Sequence, residues 1–175
     1  MAGSERAFLV LDANVLIDYR VADRSVLTLI SDRVGRIHLP SVLLDEVDDL
    51  DASECDRLGL QLVEPSMELL TGAGKRRAGL SYHDHLCLLA AKDAGWTCVT
   101  NDGRLRRECG VDGVSVLWGL EPMVDLVGGG HMSVEQACDV AERIQQANPL
   151  FITAAIVKRF TARVNAAANK PGKQR

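Results

Sequence analysis

Short aliphatic runs alternate with helix-period segments from Phe8 to Leu117, and that alternation admits few folds. Phe8-Leu-Val-Leu11 reads as a buried strand that ends at Asp12-Ala-Asn14. Ile37 to Leu39, the β-branched run Thr97-Cys-Val-Thr100 and Val114-Ser-Val-Leu117 read as further strands, with a shorter one near Leu62-Val63. Helices fill the gaps. Val15, Leu16 and Ile17 begin one, and Ser25 caps a second that runs through Val34 to a stop at Gly35. Pro40 opens a third, with Val42, Leu43, Val47 and Leu50 on one face. Others are expected around Cys55 to Leu58, from Ser66 into the stretch 72–79, and from a Ser81 cap to about Ala94, where Gly95 ends the helix. Strands joined by helices imply a parallel sheet with helices on both faces. Ligands of such sheets gather at the carboxyl ends of the strands.

After Gly128-Gly-Gly130 the character changes. Ser133-Val-Glu-Gln136 has capping-box form and starts a helix to about Ala147, which Asn148-Pro149 breaks. Ile152, Ile156, Phe160 and Val164 then recur every four residues, the stripe of an amphipathic helix. The chain therefore divides into an α/β domain over 1–118, a helical extension over 119–168 packed on that domain or on a partner, and a disordered basic tail over 169–175.

Composition excludes several classes. Hydrophobic residues at 47% and charged residues at 25% describe a globular domain, with aromatics at only 4%, so the core is aliphatic. The apolar run Ala7–Leu11 is far too short for a signal peptide or a membrane span, and a cytoplasmic protein is expected. The 5 cysteines are scattered with no C-x-x-C pair, against a disulfide framework or a structural zinc site. The net charge of −4 hides an asymmetry: Asp45 to Asp56 is acid-rich, whereas Lys158 to Arg175 carries basic residues and no acid. An acidic protein can thus keep a nucleic-acid face.

Chemistry concentrates in four acids. Asp12 ends the first strand, Glu46 lies one turn into the helix after Pro40 on its inward side, Asp84 is in the first turn after Ser81, and Asp102 follows the Thr97–Thr100 strand. Four separate elements thus bring carboxylates to one cleft. A pair of them at about 4 Å and a dielectric near 20 repels by roughly 4 kcal/mol. Such a cluster needs a divalent cation or must hold protons, and hard oxygen donors favour Mg²⁺ or Mn²⁺ over Zn²⁺. His83 and His85 flank Asp84, but adjacent helical positions point about 100° apart and cannot share its direction.

The order L-D-A-N-V-L-I-D (11–18), P-S-V-L-L-D-E-V (40–47), G-L-S-Y-H-D (79–84) before an apolar helix, and V-T-N-D (99–102) resembles the PIN-domain nucleases, with VapC-type toxins the nearest in pattern. The resemblance covers residues 7–118. It implies a three-layer α/β/α fold, a Mg²⁺- or Mn²⁺-dependent endoribonuclease, and a homodimer held inactive by a cognate antitoxin. Asp12, Glu46, Asp84 and Asp102 match the family's acidic positions, with Asp12, Asp84 and Asp102 as metal ligands. Asn14 matches a small polar position expected to give a supporting hydrogen bond. Lys75-Arg76-Arg77, just before Ser81, are candidates to grip RNA phosphates.

Plainer roles compete at each position. Asp12 can form an Asx turn, Asp84 at N3 suits the helix dipole, and Asp102 lies in a turn-prone Asn-Asp-Gly. Asp18 reads as a helix-face charge, with an accessory catalytic role as its alternative. Two rival functions remain: a catalytically inactive PIN-like module that binds RNA or protein, and a phosphatase of the haloacid-dehalogenase type, whose chemistry wants Asp-x-Asp where Asn14 stands.

Overall fold

Every strand lies parallel to its neighbours in one five-stranded sheet, and the first strand occupies its centre. The computed structural model describes residues 7–169, so the expected basic tail, apart from Asn169, lies outside the described residues. The strands are β1 (Ala7–Leu11), β2 (Gly35–Pro40), β3 (Gln61–Val63), β4 (Thr97–Val99) and β5 (Val116–Leu117), in the spatial order β3-β2-β1-β4-β5. Leu9, Val10 and Leu11 are all buried, as expected of a central parallel strand covered on both faces. Its register sets Ala7 against Gly35 on one side and Leu9 against Thr97 on the other.

Nine helices lie among the described residues: α1 (Ala13–Asp23), α2 (Ser25–Arg33), α3 (Ala52–Leu58), α4 (Met67–Ala73), α5 (Tyr82–Ala94), α6 (Gly103–Val111), α7 (Glu121–Gly128), α8 (Val134–Ala147) and α9 (Ala154–Ala168). Helices α4 and α6 pack on α5, which contacts β1, β2 and β4. A second group forms where α1 packs on α8, α2 on β2 and α7, and α9 on both α7 and α8. Helices thus flank the parallel sheet in an α/β architecture. The Ser133 capping box forms in full, and Phe160 and Val164 of the predicted stripe are buried. Tyr19, buried in α1, donates its hydroxyl to the Gly119 carbonyl at 2.5 Å. One continuous hydrophobic core accordingly includes residues from Leu9 to Val164.

Several local expectations differ. Ser25 is the first residue of α2 rather than its cap, because Asp23 accepts from both the Ser25 amide and hydroxyl. Gly35 opens β2 instead of stopping a helix: a Cβ there would sit 2.8 Å from the Ala7 carbonyl oxygen, so the tight β1–β2 pairing requires glycine. The helix expected after Pro40 is a 3₁₀ turn over Ser41–Glu46, and Val47 is already extended. Beyond it, Arg20 donates to the carbonyls of Asp48 at 2.5 Å and Asp49 at 3.0 Å, tying the segment to α1, and Asp49 has a φ of 56°. The helix from Ser66 ends at Ala73 rather than reaching into 74–79.

Candidate active site

The strand order reverses direction between β1 and β4, and the carboxyl ends of those two strands bound the crevice where parallel sheets hold their ligands. Asp12 leaves β1 there and Asp102 follows β4. The Asp12 amide donates to the Val99 carbonyl at 3.1 Å, which zips the two strand ends together up to the acid itself.

Asp12 is 1% exposed. Its Oδ1 accepts from the Val15 amide at 2.8 Å and so caps α1, while Oδ2 accepts a short hydrogen bond from the Thr100 hydroxyl. Burial pushes its carboxyl up to about 6; the hydrogen bonds from Thr100 and Val15 oppose the rise, and the charges of Asp84 and Asp18 add to it. Asp12 thus gives up its proton at a higher pH than an ordinary carboxyl, and a cation beside it would favour its charged form.

Asp102 caps α6, with Oδ1 accepting from the amides of Arg104 at 2.7 Å and Leu105 at 2.8 Å. Its own amide donates to Thr100 Oγ1 at 3.0 Å. One hydroxyl therefore bridges the two acids, donating to Asp12 and accepting from the Asp102 backbone. Asn14, expected to supply the supporting bond, is exposed in the first turn of α1 and makes no hydrogen bond to the four acids among the described residues. Thr100 takes that place. In the sequence it is legible only as a β-branched strand residue.

Asp84 sits in the first turn of α5, where its amide donates to Ser81 Oγ at 3.1 Å and its Oδ2 accepts from the same hydroxyl at 2.7 Å. The dipole-complementing role and nearness to Asp12 coexist, because α5 packs its buried Cys87 against the end of β1. The Cys87 thiol is pushed well up, first by burial and then by the charges of Asp12, Asp84 and Glu46. Glu46 is more exposed than its expected inward phase, because a 3₁₀ turn has three residues per turn and does not keep the helical stripe. It reaches α5 instead: Glu46 Oε1 lies 2.6 Å from His83 Nδ1.

Two further expectations are corrected. Asp18 is no helix-face charge: it is buried between α1 and α8, and its Oδ1 accepts from Asn148 at 3.0 Å. Arg77 is not available to RNA. Its guanidinium forms a fork on Asp112 at 2.8 and 2.9 Å and reaches Glu108 at 2.9 Å, holding the Asp112 carboxyl down at about 2. Lys75 and Arg76 remain exposed. His85 is turned inward, its Nδ1 near the carbonyls of Ala73 and Lys75 at 3.2 and 3.1 Å, which leaves it no metal-ligating role through that atom.

The donors are carboxylate oxygens, the chemistry that hard cations such as Mg²⁺ and Mn²⁺ take. As the side chains stand, however, no three acids, histidines or cysteines among the described residues form a group that could hold an ion. Asp84 and Asp102 each keep one oxygen free of the capping bonds described. Comparison of the chain with family models, with curated proteins and with solved structures finds no match. No helix among the described residues is long and apolar enough to cross a membrane.

Proposed function

We propose that this chain is a PIN-like, Mg²⁺- or Mn²⁺-dependent endoribonuclease, acting in the cytoplasm as the toxin of a type II toxin–antitoxin pair. The observation that carries the reading is Asp12: a buried acid at the sheet's switch point, raised to about 6 chiefly by that burial and to a lesser degree by Asp84 and Asp18, and tied through one hydroxyl to Asp102. A carboxylate kept there against its desolvation is an arrangement suited to a cation. Asp84 and Asp102 would hold the ion through the oxygens free of their caps, and Asp12 through a remaining lone pair of an oxygen that already accepts a hydrogen bond. A cation held there would supply Lewis-acid chemistry, neutralising charge on phosphoryl oxygens and lowering the pKa of a water. Val15 and Thr100 hold Asp12 in place through both its oxygens. Glu46, oriented by His83, is the acid left to accept a proton from the attacking water. Lys75 and Arg76 offer charge to the RNA backbone, and a homodimer restrained by a cognate antitoxin completes the reading.

One observation favours the alternative, a catalytically inactive PIN-like module that binds RNA or protein: the acids do not form a closed ion site among the described residues. Incubation of the purified chain with a pool of single-stranded and hairpin RNAs separates the two. Cleavage that requires Mg²⁺ or Mn²⁺ and disappears in Asp12→Asn supports the nuclease. Undiminished cleavage in EDTA, or by the Asp12→Asn variant, would refute the metal site. RNA bound but never cut would leave the binding module.

A further inference from the structure

β5 ends at Leu117, and the chain turns through Trp118 and Gly119 before α7. A Cβ on Gly119 would lie 2.6 Å from the Asn101 side chain, and the Gly119 amide donates to Asn101 Oδ1 at 2.9 Å. This close approach fixes the Trp118 turn beside Asn101, the residue before Asp102. Trp118 is 46% exposed, an uncommon state for so large an aromatic ring. The Arg106 guanidinium lies over it, 3.5 Å from the ring centroid, and donates to the Thr100 carbonyl at 3.4 Å.

A cavity of about 230 Å³ opens beside this turn, and its walls include Asn101, Trp118, Glu121, Phe151, Arg159 and Arg163. Trp118 lines the cavity and Arg106 does not, so the guanidinium over the indole lies outside the cavity walls. Phe151, 59% exposed, adds a second aromatic. The one carboxylate there is already occupied: Glu121 accepts from Arg163 at 2.7 Å and from the Trp118 amide at 2.6 Å. Arg159 is exposed and makes no ion pair among the described residues, so the charge left facing the cavity is positive.

We infer that this cavity receives one unpaired base of single-stranded RNA, seated against Trp118 with Phe151 as a second wall and its phosphate on Arg159. The inference rests on the nuclease reading above and deepens it, by naming a single-stranded substrate and the subsite that positions it beside Asp102. Size argues for a base over a protein partner. The cavity falls below the roughly 300–1,000 Å³ of pockets for drug-sized ligands, which suits one flat ring. A docked amphipathic helix needs a groove long enough for anchors at several successive turns. Aromatic rings beside free arginines are the common device for holding single strands without base pairing.

The test uses the full chain in EDTA and a short, labelled, single-stranded 2′-O-methyl oligoribonucleotide, followed by anisotropy. Trp118→Ala should weaken binding on the order of ten-fold to a hundred-fold, and Trp118→Phe should recover most of it. Arg159→Gln should flatten the slope of log affinity against log salt by about 0.7. A blunt duplex of the same length should not respond to Trp118→Ala. Melting curves of each variant report whether it is folded, and Arg159→Gln, at an exposed position, keeps the test open if Trp118→Ala is not. Unchanged binding by folded Trp118→Ala, or an unchanged slope in Arg159→Gln, overturns the subsite. A change of oligomeric state in Trp118→Ala with RNA binding intact also overturns it, by making the cavity a protein interface. Metal-dependent cleavage by the wild type is scored in parallel. Cleavage without Trp118-dependent binding defeats the subsite and leaves the nuclease; Trp118-dependent binding without cleavage does the reverse.

Discussion

Asp12→Asn in the metal-free protein asks whether the acid at the end of β1 is held against its own charge. Its carboxyl rises from 3.8 to about 6 on folding, chiefly through burial, so the folded chain holds that proton more tightly than the unfolded chain. At 1.36 kcal/mol per pKa unit the difference amounts to about 3 kcal/mol. The stabilisation is fully present below the unfolded value of 3.8 and is lost as pH rises through about 6. Above that, the wild type carries an ionised Asp12 in a site that disfavours it. Asparagine has the same shape and no charge, and its Oδ1 can still accept from Val15. Its amide faces the Thr100 hydroxyl and upsets that bond, a cost of about 1 kcal/mol. The net gain near pH 7.5 is then about 2 kcal/mol, or about 4–8 °C in Tm for a chain of this size. Near pH 4 the two proteins should melt together, or the variant slightly lower. Melts followed by circular dichroism in EDTA from pH 4 to 8 give the difference curve, in which the titrations of acids that do not interact with Asp12 cancel. A variant that melts below wild type at pH 7.5 would refute the reasoning, since Asp12 would then be a stabilising cap and nothing more. Added Mg²⁺ should raise the wild-type Tm and leave the variant where it was.

Asp102 behaves differently, because it caps α6: Asp102→Ala should cost about 1 kcal/mol in urea unfolding, whereas Asp102→Asn, which can keep the cap, should change little. Thr100→Val removes the hydroxyl that lowers the Asp12 carboxyl, so the acid limb of the cleavage profile should move to higher pH, while stability at pH 7.5 falls by roughly 1–2 kcal/mol. Replacing Lys75 and Arg76 with glutamine should flatten the salt dependence of single-stranded RNA binding by about 1.4, at about 0.7 for each phosphate no longer neutralised; an unchanged slope would leave them as solvated charges. Arg77→Ala should instead lower the melting temperature at neutral pH. The Asp112 carboxyl that it holds down stabilises the fold above 3.8, and that contribution is lost as pH falls through about 2, so wild type and variant should converge in acid.

What was legible in the sequence is what neighbouring residues decide among themselves. Ser81 and Ser133 bond amides three positions on, Gly95 closes α5, and the buried runs in β1 and β4 are mostly β-branched or aliphatic. From these the alternation of strands and helices follows, and with it the parallel sheet whose carboxyl edge carries Asp12 and Asp102. The tertiary structure decided the partners. Thr100 meets Asp12 across 88 positions, Arg77 finds Asp112 across 35, and Asp18 is buried under Asn148 across 130. Glu46 leaves its expected phase because Ser41–Glu46 folds as a 3₁₀ turn, and Arg20, from another helix, ties down the segment that follows through the carbonyls of Asp48 and Asp49. Local preference is worth a few tenths to about one kcal/mol at a residue and is set within one helical turn. Whether a carboxylate ends up dry, capped, paired or free depends on segments brought together only when the sheet closes and its flanking helices pack, where burial and charge pairing outweigh those local terms.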